Sequence, residues 1–166
     1  MLACGAGSNE NPTTVSGGEG GSSAAVKAPA GPVPAALGQT LTVDSTLFGK
    51  GEQVVAYTVA NGRGLKAPNS FDKPENGTFY GVDLTVEVKT GMSFACGQDI
   101  SFVAKDGTVY EPGFTTHKGT FDCADLGKGQ RKAGMVVFDV PKDAPTGGRI
   151  QVKSLWDDEP YGYWTL

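Results

Sequence analysis

The sequence predicts an all-β domain, an antiparallel β-sandwich of about seven or eight strands, that follows a disordered N-terminal tether. Three observations predict this fold class. Apolar and polar residues alternate with a period of two in several segments, which is typical of half-buried strands. Glycine and proline, at 25 and 10 of 166 residues, separate those segments. No segment from Gly38 to Leu166 shows a sustained helical period.

The clearest strand lies in the middle of the chain, where apolar residues occupy every second position from 80 to 88. Asp106-Gly107 predicts a tight hairpin, because a type I′ turn needs positive φ at both central residues. Pro141 ends a further strand, since proline cannot donate to the ladder. The other expected strands, in chain order, are residues 40–43, 54–59, 100–104, 108–110, 135–140, 150–156 and 161–166.

The first 37 residues differ in composition from the rest. Gly, Ser, Ala and Pro supply 22 of the 33 residues from 5 to 37, and the first aromatic residue of the chain is Phe48. Such a composition buries too little apolar area to offset the loss of chain entropy. We therefore expect residues 1–37 to be a disordered tether and residues 38–166 to form the folded domain.

The tether begins with a motif that resembles a bacterial lipobox. Leu2, Ala3 and Gly5 surround Cys4, as small residues surround the lipidated cysteine at the end of a lipoprotein signal. The expectation is a lipid, such as palmitate, on Cys4, which makes the bilayer a partner. A lipid on Cys4 locates the protein on the extracytoplasmic face of the cell membrane. The alternative is an incidental thiol on the tail.

Two further cysteines, Cys96 and Cys123, remain in the domain. In an oxidising compartment they are expected to form a disulfide that fastens the loop from Thr115 to Lys128 to the turn before the strand at Ile100. The alternative is two separate buried thiols. Metal binding is poorly supported, because His117 is the only histidine and neither cysteine belongs to a CxxC pair.

Several motifs between residues 73 and 166 carry a family resemblance. They are residues 77–86 (GTFYGVDLTV), 106–110 (DGTVY), 126–130 (LGKGQ), 134–141 (GMVVFDVP) and 163–166 (YWTL). The run resembles the DUF4352 or MPT63-like immunoglobulin-like domain of secreted proteins and lipoproteins from actinobacteria and other Gram-positive bacteria. The resemblance implies an immunoglobulin-like antiparallel sandwich at the cell surface. It implies no reaction and no catalytic residues.

Candidates for catalysis and nucleic-acid binding are weak. His117 would have to be the base of any catalytic triad, yet it lies beside Lys118 in a Gly-rich loop and the chain has no GxSxG motif. We expect an exposed loop histidine, no enzyme activity and no cofactor. The net charge is −4 and basic residues are mostly isolated, apart from residues 128–132, so nucleic acid is not an expected partner.

Aromatic residues cluster at the C-terminus, as Trp156, Tyr161, Tyr163 and Trp164. Tyrosine and tryptophan give large contact areas at low entropic cost, so these four form a possible binding surface. The alternative is that the tryptophans belong to the core.

The expected function is a non-catalytic binding module at the cell surface, whose partner is an unknown protein or a cell-wall component. One alternative is an accessory lipoprotein that binds a small ligand or metal. Another is a prophage-encoded surface protein that acts in superinfection exclusion.

Overall fold

The computed structural model describes residues 13–16, 31–45, 53–153 and 159–166. Over these residues the protein is all-β, and its helical structure is limited to one short 3-10 turn, Gly97–Asp99. The strands are β1 (Thr13–Ser16), β2 (Val33–Ala36), β3 (Thr40–Ser45), β4 (Gln53–Leu65), β5 (Thr78–Thr90), β6 (Met92–Ala95), β7 (Ile100–Val103), β8 (Val109–Tyr110), β9 (Ala124–Gly127), β10 (Arg131–Val140), β11 (Arg149–Val152) and β12 (Gly162–Thr165).

The strands form a sandwich of two five-stranded sheets. The first sheet has the order β1-β3-β4-β5-β10 and the second has the order β2-β12-β11-β7-β8. Strands β6 and β9 pair separately as a two-stranded ribbon. Neighbouring strands are antiparallel throughout, except that β2 runs parallel to β12. The predicted all-β antiparallel sandwich is confirmed.

Apolar side chains from both sheets meet in one core. Alternate residues of β5, including Val82, Leu84 and Val86, are fully buried as the period of two predicts. Phe102 of β7 and Trp164 of β12 contribute two of the largest fully buried side chains from the second sheet. Each such side chain contributes roughly 1.5–3 kcal/mol relative to an exposed one.

The N-terminal boundary of the domain differs from the expectation. Val33–Ala36, assigned to the tether, forms β2 beside β12, where Ala35 pairs with Trp164 and is buried. Thr13–Ser16 forms β1 and pairs with β3. A small alanine satisfies the ladder and fits against the tryptophan, so a composition poor in large apolar residues does not prevent pairing here. The rest of the predicted tether, residues 1–12 and 17–30, lies outside the described residues.

Strand β10 is the last strand of the first sheet, and the 111–123 loop covers part of its free edge. Pro112 bridges to Phe138, and the N–H of Phe121 donates to the carbonyl of Met135 at 2.8 Å. Gly134 allows this approach, because a Cβ there would lie 2.7 Å from Phe121 Cα. The loop is therefore held along a strand and not only at its two ends.

The expected disulfide is confirmed. Cys96 follows β6 and Cys123 precedes β9, and their sulfurs are bonded across 27 positions of sequence with a Cα–Cα distance of 4.2 Å. The bond fastens the C-terminal end of the 111–123 loop to the turn that begins β7, as predicted, but the expected loop from Thr115 to Lys128 contains strand β9.

Candidate functional site

Two long loops meet at one end of the sandwich, which we call the loop end. The 66–77 loop joins β4 to β5, and the 111–123 loop joins β8 to β9. Asp139 of β10 holds the first loop, since its carboxylate accepts the N–H groups of Glu75 at 2.6 Å and Asn76 at 3.0 Å. Both loops are therefore tied to the same edge strand.

Asp72 connects the two loops directly. Its Oδ2 accepts three hydrogen bonds from the 111–123 loop: the Thr116 N–H at 2.7 Å, the Thr116 hydroxyl at 3.0 Å and the Thr115 hydroxyl at 3.0 Å. These bonds, led by the Thr116 N–H, lower the pKa of Asp72 below its ordinary value of 3.8. The ionised carboxylate is the form that holds the loops together.

Asn69 and His117 reinforce this connection. The Asn69 amide donates to the Thr116 hydroxyl at 2.7 Å, while its Oδ1 accepts the N–H groups of Phe71 and Asp72. On the other side, His117 Nε2 donates to the Lys66 carbonyl at 2.9 Å, because a carbonyl can only accept. The two loops form one hydrogen-bonded unit.

This unit holds two phenylalanines in solvent. Phe71, directly before Asp72, is 97% exposed, and Phe114, directly before Thr115, is 101% exposed. We call them the aromatic loop pair. An exposed aromatic ring on a backbone that is already fixed by hydrogen bonds suits a contact site. Binding buries the apolar area of the ring, while the backbone loses little conformational entropy. The pair is the candidate functional site.

The expected C-terminal aromatic surface does not form as a unit. Trp164 is 0% exposed and its Nε1 donates to the Gln39 carbonyl at 2.9 Å, so it is a core residue, and its assignment to a surface was wrong. Tyr161 is half-buried and packs against the core. Tyr163 is half-buried too, with the guanidinium of Arg149 5.1 Å from its ring centre. Trp156 lies outside the described residues, as does Cys4.

His117 also differs from the expectation of an exposed histidine. It is half-buried, its Nδ1 bonds with the Thr115 hydroxyl, and its ring meets Phe79 edge-on at 5.2 Å. Both ring nitrogens thus have structural partners. Within the described residues no group of three His, Cys, Asp or Glu side chains could hold a metal ion.

A shallow groove of about 610 Å³ lies on the outer face of the first sheet. Its lining includes Arg63, Asp83 and Met135. The Arg63 guanidinium bonds with Asp83 at 3.0 Å and, with Asn61, lowers the pKa of that carboxyl. The charges of Arg63 and Asp83 satisfy each other, while the exposed Lys118 also lines the groove.

A buried acid lies beside the disulfide. The Asp99 carboxylate accepts the Cys96 N–H at 2.9 Å, and burial raises the pKa of Asp99 to about 6. Burial, followed by the charge of Asp99, raises the pKa of Tyr57 as well. Asp99 and Tyr57 are 9% and 7% exposed, so we assign this cluster to the core.

A second pair of exposed apolar side chains lies at the opposite end of the first sheet. Met92 is 72% exposed and Phe94 is 61% exposed, both on the same face of β6. The side chain of Gln53, at the start of β4, donates to the Met92 carbonyl and fixes β6 beside that sheet.

Residues 32–154 match the sequence profile of a protein family described as a domain of unknown function, DUF1942. The chain belongs to the DUF1942 family. The likeness to DUF4352 is a resemblance of motifs only. The likeness to MPT63 includes the fold, as its solved structure shows. A comparison of this DUF1942 protein with curated protein sequences found no match.

Among solved structures, this DUF1942 protein is similar to MPT63, a secreted protein from Mycobacterium tuberculosis. The two share 21% identity over 83% of this chain and 100% of that chain, with a TM-score of 0.68. The yjhA protein from Bacillus subtilis is 13% identical over 61% of this chain and 77% of its own, with a TM-score of 0.47. The similarity to MPT63 shows the immunoglobulin-like sandwich fold.

Sequence reasoning missed the aromatic loop pair. Phe71 follows Asn69-Ser70, and Phe114 follows Pro112-Gly113, so each large apolar residue sits among turn-forming residues. That placement was the available signal, because a loop of this composition has no core face in which to bury a ring.

Within the described residues, no helix is long and apolar enough to cross a membrane.

Proposed function

We propose that this protein is a non-catalytic binding module that is anchored by a lipid on Cys4 to the extracytoplasmic face of the cell membrane. The aromatic loop pair, Phe71 and Phe114, contacts its partner, an envelope protein or cell-wall component. No chemical step is assigned to the domain.

The observation that carries this proposal is the exposure of two phenylalanines on loops that Asp72 holds together. Full burial of a phenylalanine contributes about 1.5–3 kcal/mol, which these two rings do not give to the fold. A partner that covers both rings gains that free energy. Because the loops are already bonded to each other, the partner does not have to order them first.

Two observations support the extracytoplasmic location. The disulfide between Cys96 and Cys123 suits an oxidising compartment, since such bonds are rare in the cytosol. MPT63, which shares the fold, is described as a secreted protein. The lipobox-like residues 2–5 and the resemblance to DUF4352 lipoproteins support the anchor.

The test places a photo-crosslinking amino acid at Phe71 or Phe114 of the protein expressed in its native host. We expect a discrete crosslinked product from both positions. The matched control is Val109, which is 49% exposed on β8 of the other sheet and should give no such product. Equal products from Val109, or none from either phenylalanine, would overturn the contact site. The intact mass of the N-terminal peptide tests the lipid on Cys4 separately.

A further inference from the structure

The position of β1 determines which end of the domain faces a membrane anchor. Thr13 pairs with Val43, Val43 with Val55, and Val55 with Val88, so all four lie in one row across the first sheet. Val88 is two residues from the end of β5 at Thr90. We call this the Thr90 end, and it lies opposite the loop end.

The chain between Cys4 and β1 is short. Nine residue steps separate Cys4 from Thr13, which span at most roughly 30 Å even when fully extended. The ten residue steps along β5 from Val88 to Thr78 measure about 33 Å, and the loops extend further. A lipid on Cys4 therefore brings the Thr90 end to the bilayer and leaves the loop end distant from it.

The Thr90 end presents the second exposed apolar pair. Met92 starts β6 immediately after this end and lies opposite Gly127, so no charged side chain faces it across the ribbon. Phe94 lies opposite Asp125, whose carboxylate disfavours deep insertion of that ring. Met92 should therefore enter furthest and Phe94 remain at headgroup depth.

Two exposed basic residues lie near the Thr90 end. Lys128 is exposed in the turn after β9, and Arg131 is exposed at the start of β10. The same turn is fixed to the Thr90 end by the Gly129 N–H, which donates to the Val88 carbonyl at 2.7 Å. Lys89 is bonded to Glu87 at 2.6 Å, so these two charges offset each other. Asp44, which is half-buried and in register with Thr90 through Val54, is a second acid at this end beside Asp125. Lys128 and Arg131 are exposed, and anionic headgroups complement these two cations.

We propose that Met92 and Phe94, flanked by Lys128 and Arg131, dock on the surface of an anionic lipid bilayer. The aromatic loop pair then projects away from the membrane toward its partner. This inference rests on the anchor at Cys4, but its contact surface is independent of how the anchor is attached. Apolar burial and headgroup attraction act together, as in peripheral proteins that need two signals for stable binding.

The test uses Cys4 as a specific attachment point, because the other two of the three cysteines form the disulfide. The purified chain is coupled through Cys4 to a maleimide lipid in nanodiscs of phosphatidylglycerol and phosphatidylcholine that contain a gadolinium-chelating lipid. Carbon-13 methyl signals of methionine report proximity to the headgroups. Met135 lies opposite Asp83, away from the Thr90 end, and is the internal control. Met92→Leu and Met135→Leu variants assign the signals.

We expect the Met92 signal to broaden at least fivefold more than that of Met135. Lys128→Glu with Arg131→Glu should remove most of this difference, whereas Phe71→Ser with Phe114→Ser should leave it unchanged. Equal broadening of the two methionines would overturn the proposal, as would loss of the effect in the Phe71 and Phe114 variant. A dimer in sedimentation that Met92→Ser abolishes would assign the surface to a second copy instead.

The outcomes separate the docking surface from the anchor. An unmodified Cys4 in cells would refute the native lipid while leaving the nanodisc result intact. A lipidated Cys4 together with equal broadening would refute only the docking surface.

Discussion

Thr116 gives Asp72 two hydrogen bonds at once, from its N–H at 2.7 Å and from its hydroxyl at 3.0 Å, and both reach Oδ2. Asp72 lies in the 66–77 loop and Thr116 in the 111–123 loop, so this one pair joins two segments 44 residues apart. The connection places Phe71 and Phe114 on two loops that are bonded to each other.

Replacement of Asp72 by alanine should separate the loops without unfolding the sandwich. The Thr116 amide loses its acceptor, so we expect its hydrogen exchange to accelerate at least tenfold while core amides such as that of Val86 are unchanged. Exchange measured by NMR checks this. Glu75→Ala, at an exposed acid of the same loop, is the matched control and should have no effect on Thr116.

The same connection should weaken in acid. Because the folded state lowers the pKa of Asp72, its contribution is complete above the ordinary value of 3.8 and is lost as pH falls through the lower pKa of the folded protein. The Thr116 amide shift, followed by NMR from pH 6 to pH 2, should report this transition. An NMR chemical shift of the Thr116 amide that does not change with pH in that range contradicts the role of the carboxylate.

Asp99 should have the opposite pH dependence. Burial raises its pKa from 3.8 to about 6, so the folded state favours the protonated acid, and stability decreases as pH rises from about 4 to above 6. A difference of this size between the pKa of the folded protein and the ordinary pKa corresponds to roughly 3 kcal/mol. Asp99→Asn keeps an acceptor for Cys96, so it should raise the free energy of unfolding at pH 7.5 and change it little at pH 4.

The check on Asp99 is urea unfolding of both proteins at the two pH values. Asp106, whose side chain accepts the Thr108 N–H in the exposed hairpin, provides the control position. Asp106→Asn should not reproduce the gain at pH 7.5. An equal effect of Asp99→Asn at both pH values contradicts ionisation as its cause.

Loss of the disulfide should lower stability by an amount set by loop length. Cys96 and Cys123 are 27 positions apart, and constraining such a loop in the unfolded chain contributes about 3–4 kcal/mol. The double variant Cys96→Ser with Cys123→Ser should lower the free energy of unfolding by that amount. Cys4→Ser is the matched control. A comparable loss in its free energy of unfolding contradicts the assignment of the effect to the disulfide between Cys96 and Cys123.

The sequence predicted the parts of the fold that are governed by local patterns. The alternation from 80 to 88 predicted β5, because one face of that strand is buried from Tyr80 to Val88. The position of the turn at Asp106-Gly107 was predictable, and Gly107 has a φ of 90° that an L-residue rarely adopts. The expected type I′ turn was wrong, because Asp106 does not have the positive φ that this turn needs, and the Gly107 N–H donates to the Ala104 carbonyl at 2.9 Å. The pairing of the two domain cysteines followed from their number together with the expected oxidising compartment.

Features that depend on distant partners were not predictable. In β6 the apolar Met92 and Phe94 point to solvent, so its pattern gives no sign of a buried face. Trp164 is packed in the core, as the alternative for the tryptophans had it, and Gln39, 125 residues earlier, accepts its N–H, whereas the neighbouring Tyr163 is half-buried. Phe71 and Phe114 form a candidate site because Asp72 joins their two loops, and the sequence gives no sign of that contact.

Gly134 connects the edge of the first sheet to the aromatic loop pair, and its replacement by alanine should affect both. The new Cβ would lie 2.7 Å from Phe121 Cα and 2.9 Å from Phe121 N, which are backbone atoms that cannot move without displacing the 111–123 loop. Overpacking of this kind costs about 1–3 kcal/mol. The Phe121 and Met135 amides, which bond across this edge at 2.8 Å, should exchange faster.

Since the same loop carries Phe114, Gly134→Ala should also reduce crosslinking from position 114 more than from position 71. Gly64→Ala is the matched control, because Gly64 lies in β4 and a Cβ there meets no atom within 4 Å. If Gly134→Ala weakens crosslinking at both positions equally, the two loops move as one unit through Asp72. If it lowers stability but leaves both crosslinks unchanged, the edge contact of Phe121 does not position the aromatic loop pair.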